Sequence, residues 1–343
     1  MSDKKKNILF LSVIASFCVV CLHQNFSWTH FSKDSWWFTS CIIRGICYPA
    51  VPIFFMISGA MLINYKSKYD TKTFFRKRVK KVLIPFLVWS ALAIIYALLK
   101  KDISISDLTF KTVIANIVNY KYQDVFWYFP VCISIYLCMP LFASVEDKSK
   151  KNVFTYLSVL YFVLNCFYPF INKVFNIGIS LPFSVYVLSN YLFYCVIGWL
   201  INNHDMSKWL RYTIYILGIL GLILITFGTY YYSKSDGRIN EIFLGYIELP
   251  CVLYATAIFV FAKYNADKLL NNNNIYKAFE FVGKYTFSIY LLHNFVRNFI
   301  VIVFHTNTVS IWWRTIMTFP VVAICIVITW LLRKIPIVKH IVP

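Results

Sequence analysis

Apolar runs of about twenty residues alternate with short polar or charged segments along the whole chain, the period expected of helices that each cross a bilayer. Ten spans are predicted, at 8–26, 41–63, 82–99, 126–145, 152–170, 184–201, 212–232, 242–263, 283–304 and 312–333. No solenoid period and no inverted repeat interrupts them, and no stretch is left over for a soluble catalytic domain. The pattern predicts an all-α, polytopic integral membrane protein of about ten transmembrane helices, with residues 1–343 forming one transmembrane domain.

Orientation follows from the polar segments. In PAVPIFFMISGAMLINYKSKYDTKTFFRKRVKKVLIP, residues 49–85, an apolar run meets a loop holding Lys66, Lys68, Lys72, Arg76, Lys77, Arg78, Lys80 and Lys81 against the single acid Asp70. Such density marks a cytoplasmic loop, and with the N-terminus inside, Lys and Arg divide roughly 23 to 11 in favour of the inner segments. Both termini are then cytoplasmic. The longest external connection, 100–125, has an amphipathic middle, Phe110 to Val118, that reads as a helix lying on the outer surface.

Composition agrees with this reading and removes others. The chain is 59% hydrophobic and 14% charged, with a net charge of +20, whereas soluble domains carry roughly 25% charged residues. The bases sit in short loops between apolar spans, not on one basic face of a folded domain, so nucleic acid is not the expected partner; the bilayer is. All ten cysteines lie in apolar spans as small buried hydrophobes. Cys18 and Cys21 form a CxxC on one apolar helix with no second pair or His at ligand spacing, so neither metal nor redox chemistry is predicted. After the first run come bulky Trp28 and His30 instead of a small-x-small cleavage site, and the run reads as a retained span.

Few residues remain to carry chemistry. His23 falls in the outer half of the first span, about 22 Å from its inner edge at 1.5 Å per residue. Two readings stand for it: a proton-transfer group facing a cavity, or an interfacial histidine bonded to nearby backbone. Arg76, Arg78, Lys80 and Lys81 before Pro85 suit a phosphate held at a helix start, or an anchor at anionic headgroups. Ser58 and Gly59 read first as a close helix contact, and a nucleophilic serine would need a base beside it. Trp127 and Tyr128 fit an aromatic belt or the mouth of a sugar site. His293 lies near the middle of the ninth span with Tyr290 on the same face, and Arg297, a turn further out, is placed to snorkel to the external surface. Glu248 is the one acid within a span, with Arg297 or Arg44 as its possible partners.

Several stretches together resemble the acyltransferase-3 family of bacterial integral membrane acyltransferases over nearly the whole chain. They are VVCLH at 19–23, VPIFFMISGAML at 51–62, FFRKRVKKVLIPFLVW at 74–89, FWYFPVCISIYLCMPLF at 126–142, YLFYCVIGWLI at 191–201, GKYTFSIYLLH at 283–293 and the tail RKIPIVKHIVP. The resemblance implies a multi-pass protein of the bacterial cytoplasmic membrane. Its activity would be transfer of an acyl group, usually acetyl from cytosolic acetyl-CoA, to a hydroxyl of a cell-surface or lipid-linked glycan. It implies that His23 is the essential first-span histidine, that Arg78 begins the Arg-x-x-Arg element and that Ser58-Gly59 is the Ser-Gly pair. Acetyl-CoA is then a substrate, with no resident cofactor or metal. On that footing Arg76, Arg78 and Lys81 hold the phosphates of CoA, while Ser58, Trp127, Tyr290 and His293 line the substrate path.

Three positions depart from the family pattern. Ser12 stands where an Arg often lies eleven residues before the histidine, Lys81 replaces the second Arg, and Val125 replaces a His two residues before Trp127. Lys keeps the charge but loses the planar fork of a guanidinium. A rival reading is an exporter or proton-coupled transporter with Glu248 and the histidines as its proton path.

Overall fold

A computed structural model describes residues 3–179, 181–188, 190–336, 338 and 341–342. Met1 and Ser2 of the inner N-terminal segment, Ser189 of the sixth predicted span, and Ile337, Lys339, His340 and Pro343 of the tail motif lie outside them. Every regular element among the described residues is helical. The main helices are α1 (Asp3–Gln24), α2 (Ser35–Cys47), α3 (Ala50–Leu62), α4 (Thr71–Leu99), α5 (Phe110–Val118), α6 (Tyr128–Ala143) and α7 (Asp147–Phe175). They continue as α8 (Tyr191–Asn203), α9 (Lys208–Asp236), α10 (Leu249–Leu269), α11 (Asn273–Gly283), α12 (Thr286–Phe304), α13 (Ile311–Arg314) and α14 (Thr318–Leu332). Eight helical runs among the described residues are long and apolar enough to cross a membrane, and α14 is a shorter apolar helix. The chain is an all-α, polytopic membrane protein.

The element order follows the sequence pattern, with local corrections. The second span is a 33-residue run, Ser35–Ser67, split into α2 and α3 at Tyr48 and Pro49. Pro49 and Pro52 each lack the N–H that would continue the helical ladder, so the run breaks at Tyr48 and Pro49, just before α3. The sixth predicted span, 184–201, becomes α-helical only at Tyr191, after a 3₁₀ turn at Tyr186–Leu188. At 1.5 Å per residue α8 covers about 20 Å, less than the ~30 Å hydrocarbon layer. Phe110–Val118 is helical over the predicted residues and buries none of them.

Three long helices carry a π-helical turn, at Val79–Leu83, Phe162–Phe167 and Leu224–Gly228. The first two directly precede the turns holding Pro85 and Pro169. A π-turn re-pairs the carbonyls that a proline would leave bare, so the helix continues through it.

The chain folds as two compact units. One comprises Met1–Leu62 with Glu146–Ile326, the other Ile63–Val145 with Val327–Pro343. In the first, α1 packs against α3, α10 and α12, and α3 packs along α8. A methyl added at Gly59 would overlap the Cys195 backbone, and one at Gly198 the Met56 backbone. Two helices come this close only where each presents a glycine to the other. In the second unit, Trp89 donates its Nε1–H to the Ile341 carbonyl at 3.1 Å, tying α4 to the C-terminal tail.

Candidate active site

His23 occupies the last turn of α1 and is partly exposed. Its ring meets that of His293, with centroids 4.9 Å apart and planes inclined by 49°. Among the described residues neither nitrogen of the His23 ring has a hydrogen-bond partner. The imidazole is held by ring contact and its nitrogens are open to an incoming group.

His293 is the eighth residue of α12 and fully buried. Its Nδ1 faces the carbonyls of Tyr290 at 2.7 Å and Ile289 at 3.0 Å. Carbonyls only accept, so Nδ1 carries the proton of the neutral ring and Nε2 is left as an acceptor. That Nε2 is shielded from solvent and has no partner. A buried polar atom without a partner costs stability, and such atoms concentrate where chemistry is done. The Tyr290 ring lies 6.2 Å from that of His293, so the two residues expected on one face do sit together.

Arg297 corrects an expectation. It does not snorkel outward. Its Nη1 donates to the His23 carbonyl at 2.6 Å, and its Nε and Nη2 donate to Asn298 Oδ1 at 3.1 and 2.7 Å. The His23 carbonyl is among the last four of α1, which have no partner within the helix, and a cation there is favourable. The same helix therefore supplies the ring beside His23 and the clamp on its backbone.

Arg314 carries no signal in the sequence beyond being a base inside a predicted span. It is 1% exposed. Its donors reach Ser40 Oγ at 2.6 Å, Thr39 Oγ1 at 2.8 Å, the Trp36 carbonyl at 3.1 Å and the Val309 carbonyl at 2.9 Å. Asn25 Oδ1 lies at 3.5 Å. These bonds fasten the segment after α1 and the start of α2 to the turn before α14, which fixes the surroundings of His23.

Glu248 is also corrected. It is the N-cap residue of α10 and not inside the helix, and it pairs with Lys173 at 3.3 Å instead of with Arg297 or Arg44. The groups that bear electrostatically on His23 are His293, Arg297 and Arg44. Ser58 donates its hydroxyl to the Phe54 carbonyl at 2.9 Å, one turn back in its own helix. Ser12 likewise bonds within α1, to the Leu9 carbonyl at 3.0 Å.

In the second unit the basic residues form a different setting from the expected helix start. Thr71–Leu99 is continuous, so Arg76, Arg78 and Lys81 lie well inside it and its free N–H groups are at Thr71. There Asp70 caps the helix, and hydrogen bonding from Thr73 holds its carboxyl below the usual range. The helix-start N–H groups are therefore not offered at Arg76–Lys81, where only side chains carry free donors. Arg76 and Lys81 are exposed, and Arg78 is half-buried with its Nε shielded and without a partner. Its guanidinium lies 5.6 Å from the ring centroids of both Phe74 and Tyr136. The π-turn that starts at Val79 directly follows Arg78. Trp127 ends a 3₁₀ turn at the start of α6, in ring contact with Tyr128.

A histidine pair in ring contact thus lies among the packed apolar helices of a membrane protein. Residues 9–330 match the acyltransferase domain of the acyltransferase-3 family, and the chain belongs to that family of membrane acyltransferases. No curated protein and no solved structure matches the chain.

Proposed function

We propose that the protein moves an acetyl group from cytosolic acetyl-CoA to a hydroxyl of a cell-surface or lipid-linked glycan, in the cytoplasmic membrane of a bacterium. The observation that carries this reading is His23, an imidazole with both nitrogens open, in ring contact with a second histidine whose Nε2 is bare. Proton transfer near neutral pH suits that group.

His23 accepts the proton of the sugar hydroxyl as the oxygen attacks the thioester carbonyl. A C–O bond forms, the C–S bond breaks, and the departing CoA sulfur takes the proton back from His23. The same ring can instead carry the acetyl group between donor and acceptor. His293, its Nδ1 proton committed to backbone carbonyls, packs its ring against that of His23 and holds a bare Nε2. Arg297 fixes the main chain beneath it. Packing that keeps water out protects the thioester from hydrolysis.

Arg78 and Lys81, assisted by Arg76, hold the phosphates of CoA through side chains alone. Ser58 and Tyr290, both in the first unit, line the path of the substrates. The exporter reading depended on an acid inside a span, and Glu248 stands at the start of α10 in an ion pair with Lys173. Acetyl content of the surface polysaccharide, compared between cells with and without the protein, tests the proposal. A lower acetyl content without the protein is expected, and an unchanged content contradicts it.

A further inference from the structure

Arg44 has no part in the mechanism above, yet it is the most unusual charge in the first unit. It lies in the last turn of α2, inside the run that is apolar and long enough to cross the membrane. Its guanidinium stacks 3.7 Å above the centroid of the buried Trp28 ring and 5.2 Å from that of Tyr48. Its Nε is shielded and has no hydrogen-bond partner, and among the described residues Arg44 joins no ion pair. The exposed Glu241 bears on Tyr48 from the loop before α10 but makes no pair with Arg44. Arg314 satisfies its charge with five oxygens, and Arg297 spends its donors on His23 and Asn298. Arg44 has aromatic faces only.

A cation at this depth without a counter-charge is costly and marks a place where an anion is received. A guanidinium stacked on an aromatic ring is also held flat, with its edge donors aimed sideways for a carboxylate or phosphate. The neighbouring rings pack with Trp28 and Tyr48 in one largely buried cluster. Tyr48 stacks on Tyr246 at 4.8 Å, and Tyr246 lies 6.3 Å from Tyr191. Aromatic faces beside a few fixed donors are what a sugar ring binds to. Arg44 also bears electrostatically on His23.

We infer that Arg44, set on Trp28 and Tyr48, is the recognition point for an anionic group on the acceptor, and that the acceptor is an acidic or phosphorylated sugar. The inference rests on the acyl-transfer reading for the word acceptor, but not for the binding itself. The anion is assigned to the acceptor and not to CoA because Arg44 belongs to the same unit as His23, whereas Arg76, Arg78 and Lys81, proposed for the CoA phosphates, belong to the other.

The test uses the purified full-length protein in nanodiscs with D-glucuronate, glucose 1-phosphate, D-glucose and CoA as probes, read by thermal shift and tryptophan fluorescence. Saturable binding of glucuronate or glucose 1-phosphate is expected, with glucose at least tenfold weaker. Arg44→Gln should abolish that preference, Arg44→Lys should restore part of it, and CoA binding should be unchanged in both. Equal binding of charged and neutral sugars by the unaltered protein overturns the inference, whether or not the variants fold. Loss of the CoA response in Arg44→Gln, with the acidic sugars unaffected, also overturns it. Acetyl transfer that fails while acidic sugars still bind refutes the proposed function alone.

Discussion

Arg297 grips the backbone of His23, its Nη1 2.6 Å from the His23 carbonyl, while the His23 ring itself hydrogen-bonds to nothing among the described residues. The clamp and the open ring come from separate parts of one residue. Positioning therefore does not consume the nitrogens proposed for the chemistry. Arg297→Ala removes the clamp without touching the imidazole, and small displacements of a catalytic group cost about 100-fold in rate. Turnover of acetyl-CoA by Arg297→Ala should fall by about that factor at equal protein level, with Arg297→Lys intermediate. Wild-type turnover in the alanine variant contradicts the role.

His293→Phe keeps an aromatic ring, somewhat larger than the imidazole, and removes both nitrogens. The Tyr290 carbonyl loses its partner at a cost of about 1 kcal/mol, so the protein should still accumulate in membranes. Loss of the ring contact lets the His23 imidazole shift, and a small misplacement of a catalytic group costs up to about 100-fold. Rates measured at matched expression should fall in that range. An unchanged rate would leave His293 as packing only.

The crossing of α3 and α8 is set by glycine on both sides. Gly59→Ala drives a methyl into the Cys195 backbone, and Gly198→Ala drives one into the Met56 backbone. Backbone cannot step aside as a flexible side chain can, and overpacking of this kind costs about 1–3 kcal/mol. Either variant should unfold at lower temperature in detergent than the wild type. Unchanged thermal stability in both would mean that the helices stand further apart.

Arg78→Ala should raise KM for acetyl-CoA about tenfold or more with little change in kcat, the mark of lost ground-state binding. Steady-state kinetics on membranes measure both. A fall in kcat at constant KM would move Arg78 out of the phosphate site.

The sequence reveals the helical frame because a bilayer imposes one strong period on it. The amphipathic stretch Phe110–Val118 is a case where local pattern alone suffices. Local pattern does not reveal that Pro49 and Pro52 divide one apolar run into two helices, nor that a π-turn carries α4 through Pro85 without a break. The latter removed the helix start imagined beneath Arg78. The site is less legible still. His23 and His293 stand out singly as polar residues in spans, yet their contact joins positions far apart in the chain. Arg297 points inward because the end of α1 offers it a carbonyl, which no stretch of sequence around Arg297 records. Glu248 drew attention as an intramembrane acid, but Pro250 in the first turn of α10 sets the helix start just after it.

Acyl transfer is proposed to turn on one ring, that of His23. Membranes holding equal amounts of wild type and His23→Ala, supplied with labelled acetyl-CoA, measure it directly. Label should pass to glycan with the wild type and fall by at least 100-fold with His23→Ala, the scale of a lost general base. Equal labelling by the two proteins would contradict the account.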